Sequence, residues 1–141
     1  MPKKEKIIFI CSGNACRSQI AEGLMRNLAN DKFEVYSAGA YPTKVHLAAI
    51  TVMNEVGIDI SFHTSDPISL FINESIDIVV TVCDNAKKLC PVFPGKAERI
   101  HWSIEDPLQR WGIDPGDLVN FRRTREDLNA RIKNLIKSRL A

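Results

Sequence analysis

The feature that most constrains the fold is a short apolar run that leads directly into a loop of small residues and then a helix. The run Lys6–Cys11 (KIIFIC) is rich in isoleucine and nearly continuous, which is typical of a strand covered on both faces. The stretch Ser18–Asn30 has apolar residues at i, i+3, i+4 and i+7, which predicts an amphipathic helix; they are Ala21, Leu24, Met25 and Leu28.

The rest of the chain repeats this alternation of strand and helix. Further strands are predicted at Phe33–Ser37, where Ala38 and Gly39 end the strand, at Ile76–Cys83 and at Ala97–Trp102. Helices are predicted over 44–56, with Gly57 as the stop, and from Asp114 and Pro115 onward, with an apolar stripe formed by Leu118, Phe121, Leu128, Ile132, Leu135 and Ile136. This order favours an α/β domain with a mostly parallel sheet. Because ligands bind at the carboxyl ends of such strands, Cys11 and Cys83 are expected at one functional edge.

Length and composition indicate one globular domain that spans residues 1–141. The chain has 45% hydrophobic and 26% charged residues, and its net charge of +2 is too small to imply nucleic-acid binding. No apolar run approaches the ~20 residues of a membrane span, and the start, MPKKEK, lacks a signal-peptide cleavage region. We therefore expect a cytoplasmic protein that binds neither nucleic acid nor membrane, in which the four cysteines serve thiol or metal chemistry.

The loop after the first strand predicts an oxyanion-binding site next to a nucleophilic thiolate. Small residues let successive N–H groups turn inward, and the helix N-terminus adds positive potential; the loop residues are Ser12, Gly13, Asn14, Ala15, Cys16 and Arg17. Arg17 is suited to grip two oxygens of an anion with its planar guanidinium. The same positive groups favour the thiolate of Cys11, and a hydrogen bond from Ser18 would favour it further.

Two other interpretations of this loop were weighed. A glycine-containing turn with two buried cysteines leaves Arg17 without a role. A zinc site is disfavoured because Cys11 and Cys16 have no short second pair: Cys83 and Cys90 are separated by six residues.

The segment CDNAKKLC, residues 83–90, suggests a redox loop. In a continuous helix, seven steps of ~1.5 Å would place the two Cα atoms about 10 Å apart. A disulfide needs roughly 5.5 Å, so a bond between Cys83 and Cys90 requires the segment to bend or unwind. The alternative is two unrelated cysteines in a loop.

Taken together, these residues resemble the thioredoxin-coupled arsenate reductases, relatives of the low molecular weight protein tyrosine phosphatases. The likeness covers about residues 6–140 and rests on Cys11–Gly23, Tyr36–Gly39, Glu55–Ser61, Thr64–Asp66, Val80–Cys83, Cys90 with Pro91, and Trp102–Pro107. The resemblance implies a four-stranded parallel sheet with helices on both faces and the anion loop after the first strand. Cys83 and Cys90 set the reductases apart from the phosphatases.

The resemblance also implies a reaction sequence. Cys11 attacks bound arsenate while Asp106, on an Asp-Pro loop, protonates the departing hydroxyl. Cys83 then attacks the sulfur of Cys11 and releases arsenite, and Cys90 moves the disulfide to Cys83–Cys90 for reduction by thioredoxin. On this basis the catalytic residues are Cys11, Cys83, Cys90, Arg17, Asp106 and Ser18, with Cys16 structural and phosphate or sulfate as substrate analogues.

Several alternatives stay open at this point. By itself, Asp106 followed by Pro107 is typical of a turn. A phosphatase acting on aryl phosphates would need only Cys11, Arg17 and Asp106, although Leu108 stands where phosphatases carry an aromatic residue. A non-enzymatic anion-binding or redox-sensing module is the third hypothesis, and the sequence does not separate thioredoxin from a glutaredoxin-type reductant.

A potassium ion is bound by some members of the family. The matching positions here are Asn14, Glu22, Ser37 and Asp66, with His63 beside them. Hard oxygen ligands suit such an ion, but a hydrogen-bond network that orients Asn14 would use the same residues. No cofactor is obligatory for the implied reaction, and we expect a monomer, although the sequence itself does not determine the oligomeric state.

Overall fold

The computed structural model describes residues 4–107 and 115–140. Within them, strands and helices alternate along the chain, in the order β1 Glu5–Cys11, α1 Arg17–Ala29, β2 Phe33–Gly39, α2 Leu47–Asn54, β3 Ile78–Thr81, α3 Asp84–Leu89, β4 Glu98–His101 and α4 Pro115–Leu140. A single turn of 3-10 helix, Ile68–Leu70, lies between α2 and β3.

The sheet has the strand order β2-β1-β3-β4, and every pairing is parallel. Four consecutive residues of β1, from Ile7 to Ile10, are completely buried, so the central strand is covered on both of its faces. Helices α1, α2 and α4 pack against one another, and α3 contacts β1 and β3. The predicted α/β fold with a covered, four-stranded parallel sheet is confirmed.

The strand order determines where on the sheet a ligand site is expected. From β1 the chain proceeds to β2 on one side, and β3 pairs on the other side, so the carboxyl ends of β1 and β3 flank a topological switch point. Cys11 is the last residue of β1, and Cys83 follows β3 by two residues. The two cysteines therefore lie at the same edge of the sheet, as predicted.

Several element boundaries differ from the predictions: strand β3 is Ile78–Thr81 and not Ile76–Cys83, while β2 ends later and α2 begins later than predicted. Strand β2 continues through Gly39, whose N–H donates to Asp66 O at 2.9 Å. Helix α2 begins at Leu47, later than predicted, because the preceding segment hydrogen-bonds to the loop: Tyr41, Thr43 and His46 donate their N–H groups to carbonyls of that loop. The imidazole of His46 then caps α2 by accepting from Ala48 N at 3.0 Å.

The predicted apolar stripes are mostly correct. In α4, Phe121, Leu128, Ile132 and Leu135 are buried. In α1, Leu28 is 39% exposed, and the buried position in the last turn is Ala29, four residues after Met25. The predicted cap at Asp114 lies outside the described residues. In the part of the chain that the structure describes, no helix has the length and apolar character needed to cross a membrane.

Candidate active site

Cys11 lies at the base of the loop with a hydroxyl against its sulfur. Its Sγ is 2.8 Å from Ser18 Oγ, and the residue is 3% exposed. Ser18 Oγ also accepts a hydrogen bond from Asn14 Nδ2 at 2.7 Å, so the hydroxyl proton is free to point at the sulfur. A donor fixed in this way is directed at the sulfur of Cys11, the predicted nucleophile.

Asn14 fixes the shape of the loop. It is completely buried and has a φ of +47°, in the left-handed region. Its Oδ1 accepts from Asp66 N at 2.9 Å, and its Nδ2 donates to Ser37 Oγ at 3.0 Å as well as to Ser18. Ser37 in turn donates to the carboxylate of Glu22. The amide nitrogen of Asn14 is therefore the first donor in two directions: it donates to Ser18 on one side, and on the other side it donates to Ser37, which donates to Glu22.

Gly39 allows the end of β2 to lie against the loop. A Cβ atom at this position would be 2.7 Å from Asn14 N and 2.9 Å from Ser12 O, both backbone atoms. Only glycine permits so close an approach. From the sequence, Gly39 was predicted to end a strand and belongs to the matching stretch Tyr36–Gly39, but its contact with the loop was not predicted.

Arg17 connects the loop to the segment that carries Asp106. Its Nη1 donates to Ile104 O at 2.9 Å, and its Nη2 is 3.9 Å from Asp106 Oδ2. The Arg17 side chain is 14% exposed and that of Asp106 is 56% exposed. The structure thus brings the predicted anion ligand and the predicted general acid together, while Leu108 lies outside the described residues.

Cys16 remains protonated at neutral pH. Burial raises the pKa of its thiol to about 12, and the nearby negative charges of Cys11 and Asp106 act in the same direction. A thiol held in this state is a poor nucleophile, which agrees with a structural role for Cys16.

Cys83 contacts the same loop from the neighbouring strand. The residue is 2% exposed. Its Sγ accepts a hydrogen bond from Ala86 N at 3.3 Å and lies 3.4 Å from Ser12 Oγ. Asn85 Nδ2 donates to Ser12 Oγ at 3.1 Å, which leaves the hydroxyl proton of Ser12 for the sulfur. Ser12 therefore joins the oxyanion loop to the second cysteine, and Asn85, which the sequence analysis missed, orients it.

Cys90 ends helix α3 on the surface. Its N–H donates to Ala86 O at 2.8 Å, and its thiol donates to Pro91 O at 3.5 Å. Burial raises the pKa of this half-buried thiol. All four cysteines are free, and the segment between Cys83 and Cys90 is helical, a point that the sequence left open.

The four residues proposed for potassium are linked through Asn14, which contacts Ser37 and Asp66, while Ser37 contacts Glu22. Glu22 Oε2 accepts from Arg26 Nε at 2.9 Å, and His63 Nδ1 lies 3.7 Å from the same oxygen. Burial lowers the pKa of His63. Among the described residues no buried side-chain nitrogen or oxygen lacks a partner, so these contacts account for Glu22 without an ion. The potassium site stays a prediction.

Gln19 is a further loop-supporting residue that the sequence analysis missed. It is completely buried, and its Nε2 donates to Asn14 O at 3.0 Å and to Thr64 O at 2.9 Å. Its Oε1 lies 3.0 Å from His63 Nδ1. A glutamine in a predicted helix carries no signal of such a role, because its partners are distant in the sequence.

Comparisons with known proteins agree with this arrangement. The family model of the low molecular weight phosphotyrosine protein phosphatases matches residues 6–140. An arsenate reductase of Halalkalibacterium halodurans is 42% identical over 135 residues, which cover 96% of this chain and 97% of the relative. A solved arsenate reductase in the oxidized state is 37% identical, with a TM-score of 0.81 over 95% of this chain and 98% of the other.

A third relative is a thioredoxin-dependent arsenate reductase of Corynebacterium glutamicum. It is 30% identical, with a TM-score of 0.75, over 96% of this chain and 61% of the other. The cysteine loop at the switch point, the second cysteine against it and these matches lead to one conclusion. The chain belongs to the low molecular weight phosphotyrosine protein phosphatase family, among its arsenate reductases.

Proposed function

We propose that this protein reduces arsenate to arsenite with Cys11, Cys83 and Cys90 acting in succession. The observation that carries the proposal is the contact of 3.4 Å between Cys83 Sγ and Ser12 Oγ, which puts a second sulfur at the edge of the oxyanion loop. A phosphatase needs no second sulfur there, whereas a reductase does. The family relatives named as arsenate reductases support the same assignment.

The first step is attack by the thiolate of Cys11 on arsenate. The N–H groups of the loop and the guanidinium of Arg17 hold the oxyanion, and the hydroxyl of Ser18 supports the thiolate. A sulfur–arsenic bond forms, and one arsenic–oxygen bond breaks. In this proposal Asp106 gives its proton to the departing hydroxyl, which leaves as water, and the 3.9 Å between Asp106 Oδ2 and Arg17 Nη2 supports the assignment.

The second step is attack by the thiolate of Cys83 on the sulfur of Cys11. A disulfide forms between these residues, and the sulfur–arsenic bond breaks with its electron pair remaining on arsenic. Arsenic is thereby reduced from the pentavalent to the trivalent state and leaves as arsenite. The contacts of Cys83 Sγ with Ala86 N and Ser12 Oγ hold the attacking sulfur at the edge of the loop.

The third step transfers the disulfide to the surface. Cys90 attacks the sulfur of Cys83, and Cys11 leaves as a thiolate, ready for another arsenate. Because α3 separates the two cysteines in the reduced state, its turns must unwind before the new bond forms. Thioredoxin, on which the Corynebacterium glutamicum relative depends, is the proposed reductant of the final disulfide.

The test is arsenate turnover with thioredoxin, thioredoxin reductase and NADPH. Wild type should consume NADPH continuously, whereas Cys83→Ser and Cys90→Ser should stop after at most one turnover. Phosphate should bind both variants with wild-type affinity, which shows that their loops are intact. Continuous turnover by either variant would refute the relay, and phosphate binding without turnover by wild type would indicate a binding module.

Hydrolysis of aryl phosphates is a second candidate activity. It is favoured by the grouping of Cys11, Arg17 and Asp106, which suffices for a phosphoryl-enzyme intermediate and its hydrolysis. Cys83→Ser should keep this hydrolysis, since the second sulfur takes no part in it. A protein that hydrolyses aryl phosphates but never consumes NADPH with arsenate would be a phosphatase.

We place the reaction in the cytoplasm, where a reducing environment keeps the four free cysteines available. One chain supplies each proposed catalytic residue, which supports a monomer as the active form.

A further inference from the structure

Asp84 joins two segments that the proposed reaction uses separately. It is the first residue of α3 and directly follows Cys83. Its Oδ1 accepts from His101 Nε2 at 2.8 Å, and its carboxylate also accepts a hydrogen bond from Ser103. His101 ends β4, and Ser103 lies on the stretch that leads from β4 to Asp106.

His101 is itself anchored to the sheet. Its Nδ1 lies 2.7 Å from Oγ1 of Thr81, the buried last residue of β3. The ring thus bridges the two residues, with one nitrogen facing Thr81 and the other facing Asp84. Asp84 is thus connected to the ends of both β3 and β4. The hydrogen bonds from His101 and Ser103 lower the pKa of its carboxyl, which stays ionised at neutral pH.

The two ends of α3 differ in side-chain hydrogen bonds and not in exposure, since the side chain of Asp84 is itself 71% exposed. Among the contacts of the described residues, Lys87, Lys88 and Leu89 have no side-chain hydrogen bond to β3, β4 or the segment 101–106. The segment toward Asp106 is meanwhile held from its other side by Arg17, which donates to Ile104 O. Unwinding that starts at Cys90 breaks few contacts, whereas unwinding that starts at Asp84 would detach both segments.

We propose that Asp84 is a positioning residue that fixes the start of α3 and the segment 101–106 to each other, so that Cys83 and Asp106 stay in place while α3 unwinds from Cys90. The inference rests on the proposed function for its role in the reaction. The joint, meaning the hydrogen bonds of Asp84 to His101 and Ser103, is present in the reduced protein and is testable without any turnover.

The first experiment is amide hydrogen exchange of the reduced protein. Asp84→Ala should raise exchange in 84–90 and in 101–106 together, whereas Asp84→Asn should not, since an amide oxygen still accepts from His101 and Ser103. Asp31→Ala, an exposed change in the turn between α1 and β2, is the matched control. Faster exchange in only one segment, or in neither, would overturn the joint.

The second experiment is a single arsenate turnover without reductant, followed by mapping of the disulfides. Loss of the oxygen that accepts from His101 and Ser103 should slow arsenite release by Asp84→Ala about tenfold, with the rate restored in Asp84→Asn, which keeps an accepting oxygen. Equal rates in wild type and Asp84→Ala would refute the positioning role. Absence of arsenite from wild type would instead refute the proposed function, and the exchange result would still decide whether Asp84 joins the two segments.

Discussion

At the scale of single residues, one asparagine determines the direction of the side-chain hydrogen bonds around the loop. Because Asn14 donates both of its amide protons, to Ser18 and to Ser37, each hydroxyl must send its own proton onward. On the side of Ser18 that proton reaches Cys11. The sulfur of Cys11 therefore faces the hydroxyl of Ser18, whose orientation is set by the hydrogen bond of 2.7 Å from Asn14 Nδ2.

Ser18→Ala should slow the first attack. Without the hydroxyl, the sulfur of Cys11 loses the hydrogen-bond partner that lies 2.8 Å from it. We expect arsenite release in a single turnover to slow about tenfold. Ser138→Ala, which removes a hydroxyl bonded to Leu135 O in α4, serves as the control. An unchanged rate of arsenite release in Ser18→Ala would show that the hydroxyl takes no part in the attack.

Gly39→Ala should damage the loop more than the fold. The added methyl group would press on Asn14 N, at 2.7 Å, and on Ser12 O, at 2.9 Å. We expect phosphate binding, measured by calorimetry, to weaken more than tenfold, while the far-ultraviolet circular dichroism stays that of wild type. Binding of phosphate at wild-type affinity would mean that the loop accommodates the methyl group without any loss of binding free energy.

At the scale of elements, α4 is attached to α2 by one carboxylate. Glu55 Oε2 accepts from Arg122 at 2.7 Å, and its Oε1 accepts from Arg125 at 2.8 Å. Arg125 also donates to Val52 O at 2.7 Å near the end of α2. The hydrogen bonds from Arg122 and Arg125 lower the pKa of Glu55 to about 2.

The acid dependence of stability follows from this pKa. Since Glu55 titrates lower in the folded state than its unfolded value of about 4.3, its contribution is complete above that pH and disappears as the pH falls through about 2. Glu55→Gln should therefore lower the melting temperature at neutral pH, with the difference from wild type closing in acid. Glu126→Gln, at an exposed partner of Arg125, is the control. A difference that persists at low pH would contradict the linkage.

Helix α3 gives a second pH dependence. Burial raises the pKa of the Cys90 thiol, so the thiolate fraction, and with it the rate of Cys83–Cys90 disulfide formation, should rise about tenfold per pH unit below that pKa. Quenched-flow samples mapped for disulfides would measure this rate, and arsenite release in the same samples, which does not use Cys90, is the internal control. A rate that is independent of pH would show that unwinding, and not ionisation, limits the step.

At the scale of the whole molecule, one arsenate turnover should change the shape of the protein. Without reductant, we expect a Cys83–Cys90 disulfide, a free Cys11 and the loss of the helical signal of α3. Mass spectrometry after alkylation would identify the bonded pair, and circular dichroism would follow the helix. A trapped Cys11–Cys83 disulfide in wild type would mean that Cys90 does not complete the relay.

The alternation of strands and helices was predictable because it depends on local periodicity. The strand Lys6–Cys11 is a continuous apolar run and the apolar stripe of α4 repeats every 3.6 residues, and both were located from the sequence. The late start of α2 and the length of β2 were not predicted, since each depends on backbone hydrogen bonds to residues distant in the sequence, the loop after β1 for α2 and Asp66 for the end of β2.

The same distinction applies to the site. Cys11, Arg17 and Ser18 stand close together in a motif, so their proximity was visible in the sequence. Gly39 and Asn85 act on the loop from 25 or more residues away, and only the folded chain brings them there. Gln19 is adjacent to the motif, but its contacts with Thr64 and His63 are equally remote.

The strand order also determines which molecules can serve as reductant. Under the proposed relay, oxidising equivalents pass sideways from the central strand to its neighbour and then outward to Cys90, the half-buried cysteine at the surface. A protein as bulky as an oxidoreductase can collect them there without approaching arsenate. The anion pocket is then free to stay narrow, because the size of the electron donor places no demand on its width.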